Sequence, residues 1–189
     1  NGCTATEANI TIPAVAATLT AFTVTSNYNS WGVECFNDNN GTATVSTFGG
    51  TGTPVYLWSN GQSTQTAINL IANTLLVPSY NVLVTDANGC KTTASAIITT
   101  PDALVLTPTI TDASCNGLSD GGATLLGGVA GGTPFIGGIF QYEWHDLSTA
   151  IDYTGLSASS SYDVEVTDAN RCTATALITI NEPATLTLA

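Results

Sequence analysis

Two segments of the chain alternate apolar and polar residues with a period of two, which predicts half-buried β-strands. The first segment reads SYNVLVTD (79–86) and the second reads SYDVEVTD (161–168). The residues predicted to face the core are Tyr80, Val82, Val84, Tyr162, Val164 and Val166. Turn-forming Gly, Asn, Asp and Ser residues separate short apolar runs along the chain, and no stretch shows the spacing and caps of a helix. The pattern therefore predicts an all-β protein.

Each of these strands ends in a phrase that the sequence repeats. VTDANGC at 84–90 returns as VTDANRC at 166–172, and the flanking residues align with a period of about 80 to 90 residues. Each copy reads as six or seven short strands, which predicts tandem β-sandwiches. The predicted boundaries are 1–14 for the last strand of a preceding repeat, 15–102 and 103–183 for two sandwich repeats, and 184–189 for the start of the next.

Trp58 and Trp144 occupy matching places on a middle strand of the two copies. A large ring at such a place fills the space between two packed sheets. We therefore predict that both residues belong to the cores.

The charge balance is extreme, because Lys91 and Arg171 are the only basic residues against fourteen acidic ones, for a net charge of −12. Such a surface repels phosphate backbones, so we do not expect nucleic-acid binding. No apolar run reaches the length that spans a membrane.

The five cysteines follow the repeat. Each copy has one cysteine before its second strand and one after VTDAN, so we predict the disulfides Cys35–Cys90 and Cys115–Cys172. Cys3 is the closing cysteine of the preceding repeat, and its predicted partner lies outside the chain. Regular cysteines in an acidic, Lys-poor β chain favour an oxidising, extracellular setting. The alternative is a set of reduced, buried thiols in a cytosolic protein.

The sequence does not predict an enzyme. His145 is the only histidine, and it lies in a loop whose counterpart in the first copy is Ser59. No glycine-rich phosphate loop follows a strand and opens a helix. The residues for a nucleophile, a base and their stabilisers are therefore missing from the pattern.

A calcium site is the one metal hypothesis, with no other cofactor expected. Asp38 and Asp120 lie in tight loops of the two copies, and Asp86 and Asp168 lie beside the VTDAN turns. Calcium prefers carboxylate and carbonyl oxygens, so two loops of one copy could hold an ion between them. The alternative is that these carboxylates cap turns by accepting backbone hydrogen bonds.

The insertions that distinguish the two copies are unusually apolar. Exposed apolar residues mark interfaces, whether with a neighbouring repeat of the same chain or with an identical chain in a filament. Alternatively, each insertion folds back over its own sandwich. The residues concerned are Tyr28, Trp31, Leu75, Leu76, Val77, Phe135, Ile136, Ile139 and Phe140.

The order of motifs resembles the SprB-type repeat: a cysteine, a glycine-rich run such as DGGATL, then VYLWSNG, VTDANGC and ITINEP. Such repeats occur in very large cell-surface adhesins of the Bacteroidota, including gliding-motility adhesins. The resemblance implies an Ig-like or PKD-like sandwich in a secreted, surface-anchored protein, commonly exported by the type IX system. The second copy departs from the pattern with WHDL in place of WSNG, and the first carries the longer LIANTLLVPSY.

We therefore expect a structural repeat segment of a long extracellular adhesin or filament at the bacterial surface, which acts by mechanical reach and adhesion. One alternative is a glycan-binding module, in which an aromatic residue such as Trp31 stacks on a sugar ring. Another is a pilus-like subunit, in which residues 4–12 complete the sheet of a neighbour.

Overall fold

The first half of the chain forms two three-stranded antiparallel sheets that face each other. This computed structural model describes residues 17–72, 79–158 and 160–188. The strands of the first unit are β1 (Thr20–Thr25), β2 (Gly41–Phe48), β3 (Val55–Trp58), β4 (Thr66–Leu70), β5 (Ser79–Thr85) and β6 (Lys91–Ile97). Their sheet orders are β1-β2-β4 and β3-β5-β6, the arrangement of strands A, B, E and C, F, G in an immunoglobulin sandwich.

The second half repeats this arrangement with its first two strands interrupted. Its strands are β7 (Val105–Leu106), β8 (Thr109–Thr111), β9 (Gly121–Thr124), β10 (Val129–Ala130), β11 (Gln141–Trp144), β12 (Asp152–Leu156), β13 (Ser161–Thr167) and β14 (Thr173–Thr179). The sheets are β8-β9-β12 and β11-β13-β14, with β7 paired to β10. At the interruption, Gly128 approaches the Thr107 carbonyl oxygen so closely that a Cβ would collide with it. The described residues contain strands and no helix, which confirms the all-β prediction.

Each unit has its own hydrophobic core between its two sheets. Trp58 and Trp144 are only 2% and 1% exposed, which confirms their predicted core positions. Each buried indole N–H keeps a hydrogen bond, because Trp58 Nε1 donates to the Thr64 carbonyl (2.9 Å) and Trp144 Nε1 donates to the Ala150 carbonyl (2.8 Å). Replacing either ring by Ala would remove about 3–5 kcal/mol of stability from its unit.

Strands β5 and β13 show the predicted alternation. Val82 and Val84 are fully buried, as are Val164 and Val166. The tyrosine at the second position of each strand turns its hydroxyl back to the preceding corner. Tyr80 Oη donates to the Ile71 carbonyl (3.0 Å) and accepts from its N–H (3.1 Å), the geometry of the tyrosine corner of immunoglobulin domains.

The two ends of each sandwich carry different loops. In the first unit, β3 begins opposite the end of β5, so the loop 49–54 and the turn 86–90 lie at one end, which we call the head end. Ala87 N donates to the Thr51 carbonyl there (2.9 Å). The loop 26–40 precedes β2 and lies at the opposite end, the tail end. In the second unit, the turn 168–172 lies at the head end and the loop 112–120 at the tail end.

The disulfide joins the two units, not the two ends of one unit. Cys35 at the first tail end bonds to Cys172 at the second head end, with Cα atoms 5.7 Å apart, while Cys90 and Cys115 are free and exposed. The predicted pairs Cys35–Cys90 and Cys115–Cys172 are therefore wrong. Strand β2 separates the tail loop from the head turn, and its eight residues span roughly 26 Å. A disulfide requires Cα atoms within about 7 Å. Cys3 lies outside the described residues.

Candidate functional site: the junction between the units

The junction centres on one buried amide beside the disulfide. Asn170 is only 6% exposed, and its Nδ2 donates to the Glu34 carbonyl (2.9 Å) and to the Tyr28 carbonyl (3.4 Å) of the first unit. Its Oδ1 accepts from Asn29 Nδ2 (2.5 Å). One side chain of the second unit therefore satisfies three polar groups of the first, directly next to the Cys35–Cys172 bond.

The head turn of the second unit is shaped by a buried carboxylate. Asp168 Oδ1 accepts from the backbone N–H groups of Asn170 (2.9 Å) and Cys172 (2.8 Å), and Oδ2 accepts from Thr133 N (2.7 Å). Arg171 between them has a φ of 68°, in the left-handed region. Asp168 thereby orients Asn170 and Cys172 before either contacts the first unit.

The first unit meets this turn with a small hairpin that the second copy lacks. Tyr28 N donates to the Trp31 carbonyl (2.7 Å), and Trp31 N donates back to the Tyr28 carbonyl (3.0 Å). Asn29 and Ser30 have φ values of 49° and 81°, so both central residues are left-handed as in a type I′ turn. The hairpin presents Asn29 and the Tyr28 carbonyl to Asn170.

The head turn of the first unit has the same internal bonds without the covering loop. Asp86 Oδ1 accepts from Cys90 N (2.8 Å) and Asn88 N (3.0 Å), and Oδ2 accepts from Thr51 N (2.9 Å). Burial alone would raise the pKa of Asp86, but these backbone donors outweigh it and lower the pKa below the ordinary 3.8. Asn88 is exposed, and its Nδ2 donates to Thr51 Oγ1 (3.2 Å).

The tail loop of the second unit is likewise held by hydrogen bonds within its own unit, and no other unit among the described residues covers it. Ser114 N donates to Asp120 Oδ1 (2.9 Å), and the hydroxyl and N–H of Ser114 lower the pKa of Asp120. Gly117 N donates to Glu182 Oε2 (2.7 Å). Cys115 lies between these two anchors and is exposed.

Of the predicted calcium ligands, two lie in the head turns and two lie in the tail loops. Asp86 and Asp168 hold the head turns as described, and Asp38 Oδ2 accepts from Cys35 N (3.0 Å). Asp120 does not match Asp38, because the residue that makes its bond in the first unit is Asn40, whose Oδ1 accepts from Glu34 N (3.1 Å). In the ranges that the structure describes, no three His, Cys, Asp or Glu side chains cluster as metal ligands. Calcium binding stays a prediction, and a chelator-dependent melting temperature would test it.

The predicted interface residues are divided among three places. Tyr28 and Trp31 belong to the junction hairpin, whereas Leu75, Leu76 and Val77 lie outside the described residues. The others belong to a second hairpin, in which Phe135 N donates to the Ile139 carbonyl (2.9 Å). Ile136 at its tip is 100% exposed. Ile139 and Phe140 line a groove of about 780 Å³ on the second unit. The interface role of these residues stays a prediction.

An aromatic cluster at the tail end of the second unit was not foreseen from the sequence. The ring of His145 lies 5.7 Å from that of Tyr153 and 5.3 Å from that of Tyr162, between ring centroids. Tyr153 Oη donates to Asp146 Oδ2 (2.6 Å), and this bond is the main reason that the pKa of Asp146 falls to about 2. These contacts hold the turn after β11 in place.

Asn29 and Asn170 were also missed from the sequence. The only available signal was that the asparagine recurs at 88 and 170 within the repeated phrase. That signal does not distinguish a buried junction residue from an exposed one, because the letters are the same.

A scan against family models matches the first unit from its tail loop to the turn after β3. Residues 32–63 match the SprB repeat. The resemblance drawn from the sequence is therefore confirmed for this segment. The SprB repeat is a structural repeat, not an enzyme family, and it implies a cell-surface protein with an adhesin-like repeat region. The matched segment contains Cys35, which forms the junction disulfide.

The other comparisons add little. The sequence matches no curated protein. Among solved structures it is similar to murine CEACAM1b, with 12% identity, a TM-score of 0.32, and coverage of 87% of this chain and 100% of that one. A TM-score this low does not establish a shared fold, so the Ig-like description is based on the strand order. Within the described residues, no helix is long and apolar enough to cross a membrane.

Proposed function

We propose that this chain is a load-bearing segment of a long extracellular adhesin or filament at the bacterial surface, acting in attachment or gliding by mechanical reach. The observation that carries the proposal is the junction, where a disulfide and a buried asparagine join the tail end of one sandwich to the head end of the next. Such a joint limits bending between units. The SprB match in the first unit supports the surface setting.

The acidic surface fits the same role. A net charge of −12 keeps extended chains apart and soluble. The partners we propose are neighbouring repeats of the same chain and identical chains within a filament. Export by the type IX system and a gliding role rest on the resemblance alone, and labelling of intact cells with an antibody to this segment would test the surface location.

Force spectroscopy on the oxidised 189-residue chain tests the mechanical role directly. The Cys35–Cys172 disulfide prevents the chain between these two cysteines from being extended by force, and their sequence separation is 137. Reduction should therefore add roughly 450 to 490 Å of extension when the units unfold, at about 3.3–3.6 Å per residue over a separation of 137. The matched control is Cys90→Ser with Cys115→Ser, which should leave the oxidised trace unchanged. Equal extension of the oxidised and reduced chains would show that the Cys35–Cys172 disulfide does not bear load.

Glycan binding remains the second candidate function, since the groove of the second unit is lined by aromatic and acidic side chains, among them Tyr142, Phe140 and Glu143. A glycan array probed with the wild-type chain, with Phe140→Ala in the groove and with Trp31→Ala in the junction hairpin separates this candidate from a purely mechanical role. The strand-donation alternative concerns residues 4–12, which lie outside the described residues.

A further inference from the structure

The two free cysteines are the structural counterparts of the two bonded ones. Cys90 and Cys172 close the same turn, because Asp86 and Asp168 accept from their N–H groups at the same distance of 2.8 Å. At the tail ends, Cys35 accepts at its carbonyl from Asp38 N (3.1 Å) in the way that Cys115 accepts from Leu118 N (3.2 Å). The chain therefore contains one complete junction and both halves of a second.

At the exposed head turn, Asn88 lacks the partners from a second unit that bury Asn170. Asn88 and Asn170 make the same bond within their own units, to Thr51 Oγ1 (3.2 Å) and Thr133 Oγ1 (3.4 Å). Asn170 is buried by its additional partners in the first tail loop, whereas Asn88 is exposed. Beside Cys90 lies a cavity of about 220 Å³, lined in part by Gly50 and Asp86.

The charges of the two ends are complementary. Both basic residues of the sequence flank a head-end cysteine, since Lys91 follows Cys90 and Arg171 precedes Cys172. The tail loops are acidic, and the carboxylates of Asp120 and Glu182 brace the residues on either side of Cys115. Opposite charges on facing patches steer two surfaces together and fix their orientation.

We propose that copies of this chain join head to tail through a disulfide between Cys115 of one and Cys90 of the next. The two thiols lose two protons and two electrons, and the oxidant is a small disulfide such as oxidised glutathione, which is reduced to two thiols. Because the two surfaces are different and lie at opposite ends of the joined pair of units, the contact is heterologous, and it generates a linear polymer when the rotation between copies does not close a ring. The proposal rests on the mechanical role only for its oxidising setting.

The second junction differs from the first in one respect. The second tail loop lacks the hairpin that presents Asn29 and the Tyr28 carbonyl. In the proposed link Asn88 therefore meets the Ser114 carbonyl, which corresponds to that of Glu34, and has no counterpart of the other two partners. We therefore expect this link to depend more on its disulfide and on Lys91 than the Cys35–Cys172 junction does.

A mixing experiment tests the pairing. Two variants carry Cys3→Ser; one adds Cys90→Ser and so offers Cys115, and the other adds Cys115→Ser and so offers Cys90. Mixed with oxidised glutathione, they should form the mixed dimer at least ~10-fold in excess over either homodimer, with Cys115 joined to Cys90 by non-reducing peptide mapping. The Cys3→Ser chain alone should form a ladder of oligomers. Random pairing, or no cross-link, would overturn the proposal.

Matched variants show whether a built surface directs the pairing. Lys91→Glu should lower the yield of mixed dimer while Lys91→Arg preserves it, and added salt should slow the reaction. Asn88→Ala should also lower the yield, whereas Asn60→Ala at the other end of the same unit should not. Retention of the Cys35–Cys172 bond and of the melting temperature shows that each variant is folded. If the mixed dimer fails to form while the oxidised chain still resists extension, the inference fails and the mechanical function stands.

Discussion

The head ends of the two units have the same turn, the same carboxylate cap and the same asparagine, yet only one is covered. In the second unit Asn170 is buried against the Glu34 carbonyl, and in the first unit Asn88 faces solvent. The carboxylate makes the same three backbone hydrogen bonds in both. The turn is therefore complete without a neighbour, and only its asparagine and cysteine remain for contact with one.

The largest expected difference between the two ends comes from their cysteines. Replacing Cys35 and Cys172 by Ser should lower the free energy of unfolding by about 5 kcal/mol in the chain-entropy model, because the closed loop spans a sequence separation of 137. Guanidinium unfolding measures this change. Cys90→Ser with Cys115→Ser is the matched control and should stay within about 0.5 kcal/mol of wild type. Equal losses in the two double variants would remove the distinction between the ends.

The carboxylate cap gives the next effect, and it depends on pH. The folded pKa of Asp86 lies below its ordinary 3.8, so its contribution is present above that pH and is lost as the pH falls through the folded pKa. Asp86→Asn should lower the melting temperature of the first unit at pH 6, because an amide N–H₂ would face backbone N–H donors. The difference from wild type should narrow below pH 3.8. A difference that is constant down to pH 2 would contradict the assignment.

The asparagine pair tests the junction itself. Asn170→Ala should destabilise the chain by about 1–3 kcal/mol, because it removes the hydrogen bonds to the half-buried Glu34 carbonyl and to Asn29, at about 0.5–1.5 kcal/mol each. Asn88→Ala removes one exposed bond and should change stability by less than about 0.5 kcal/mol. Thermal melting of both variants gives the comparison, and similar losses would mean that the junction adds nothing to the turn.

The smallest effect is expected at the tail-end turns, where Asp146 stands in the second unit and Asn60 in the first. Their side chains accept from Ser148 N (3.0 Å) and Gln62 N (3.2 Å). Asp146→Asn converts one turn into the other and removes a carboxylate with a pKa of about 2. Since that pKa is depressed, the wild-type advantage should be present at pH 5 and disappear between about pH 4 and pH 2. An advantage that grows at low pH would contradict this.

The strands and cores could be predicted because burial imposes a period of two on the residues that form them. Val82, Val84 and Trp58 are where the alternation requires. The cysteine pairing could not be predicted, because position within a copy does not say at which end of the sandwich a residue lies. Cys35 precedes β2 and Cys90 follows β5, and the antiparallel register puts these two places at opposite ends. The first unit therefore cannot close its own bond.

The same register has a consequence for the order of folding and oxidation. In the proposed extracellular setting the thiols meet an oxidant only after the whole chain has been made, so Cys90 and Cys172 are both present when Cys35 reacts. Cys90 is nearer to Cys35 in the sequence, but once the sandwich has formed it is out of reach of Cys35. Folding before oxidation therefore prevents the Cys35–Cys90 bond, and the Cys35–Cys172 disulfide forms only after the second unit has folded.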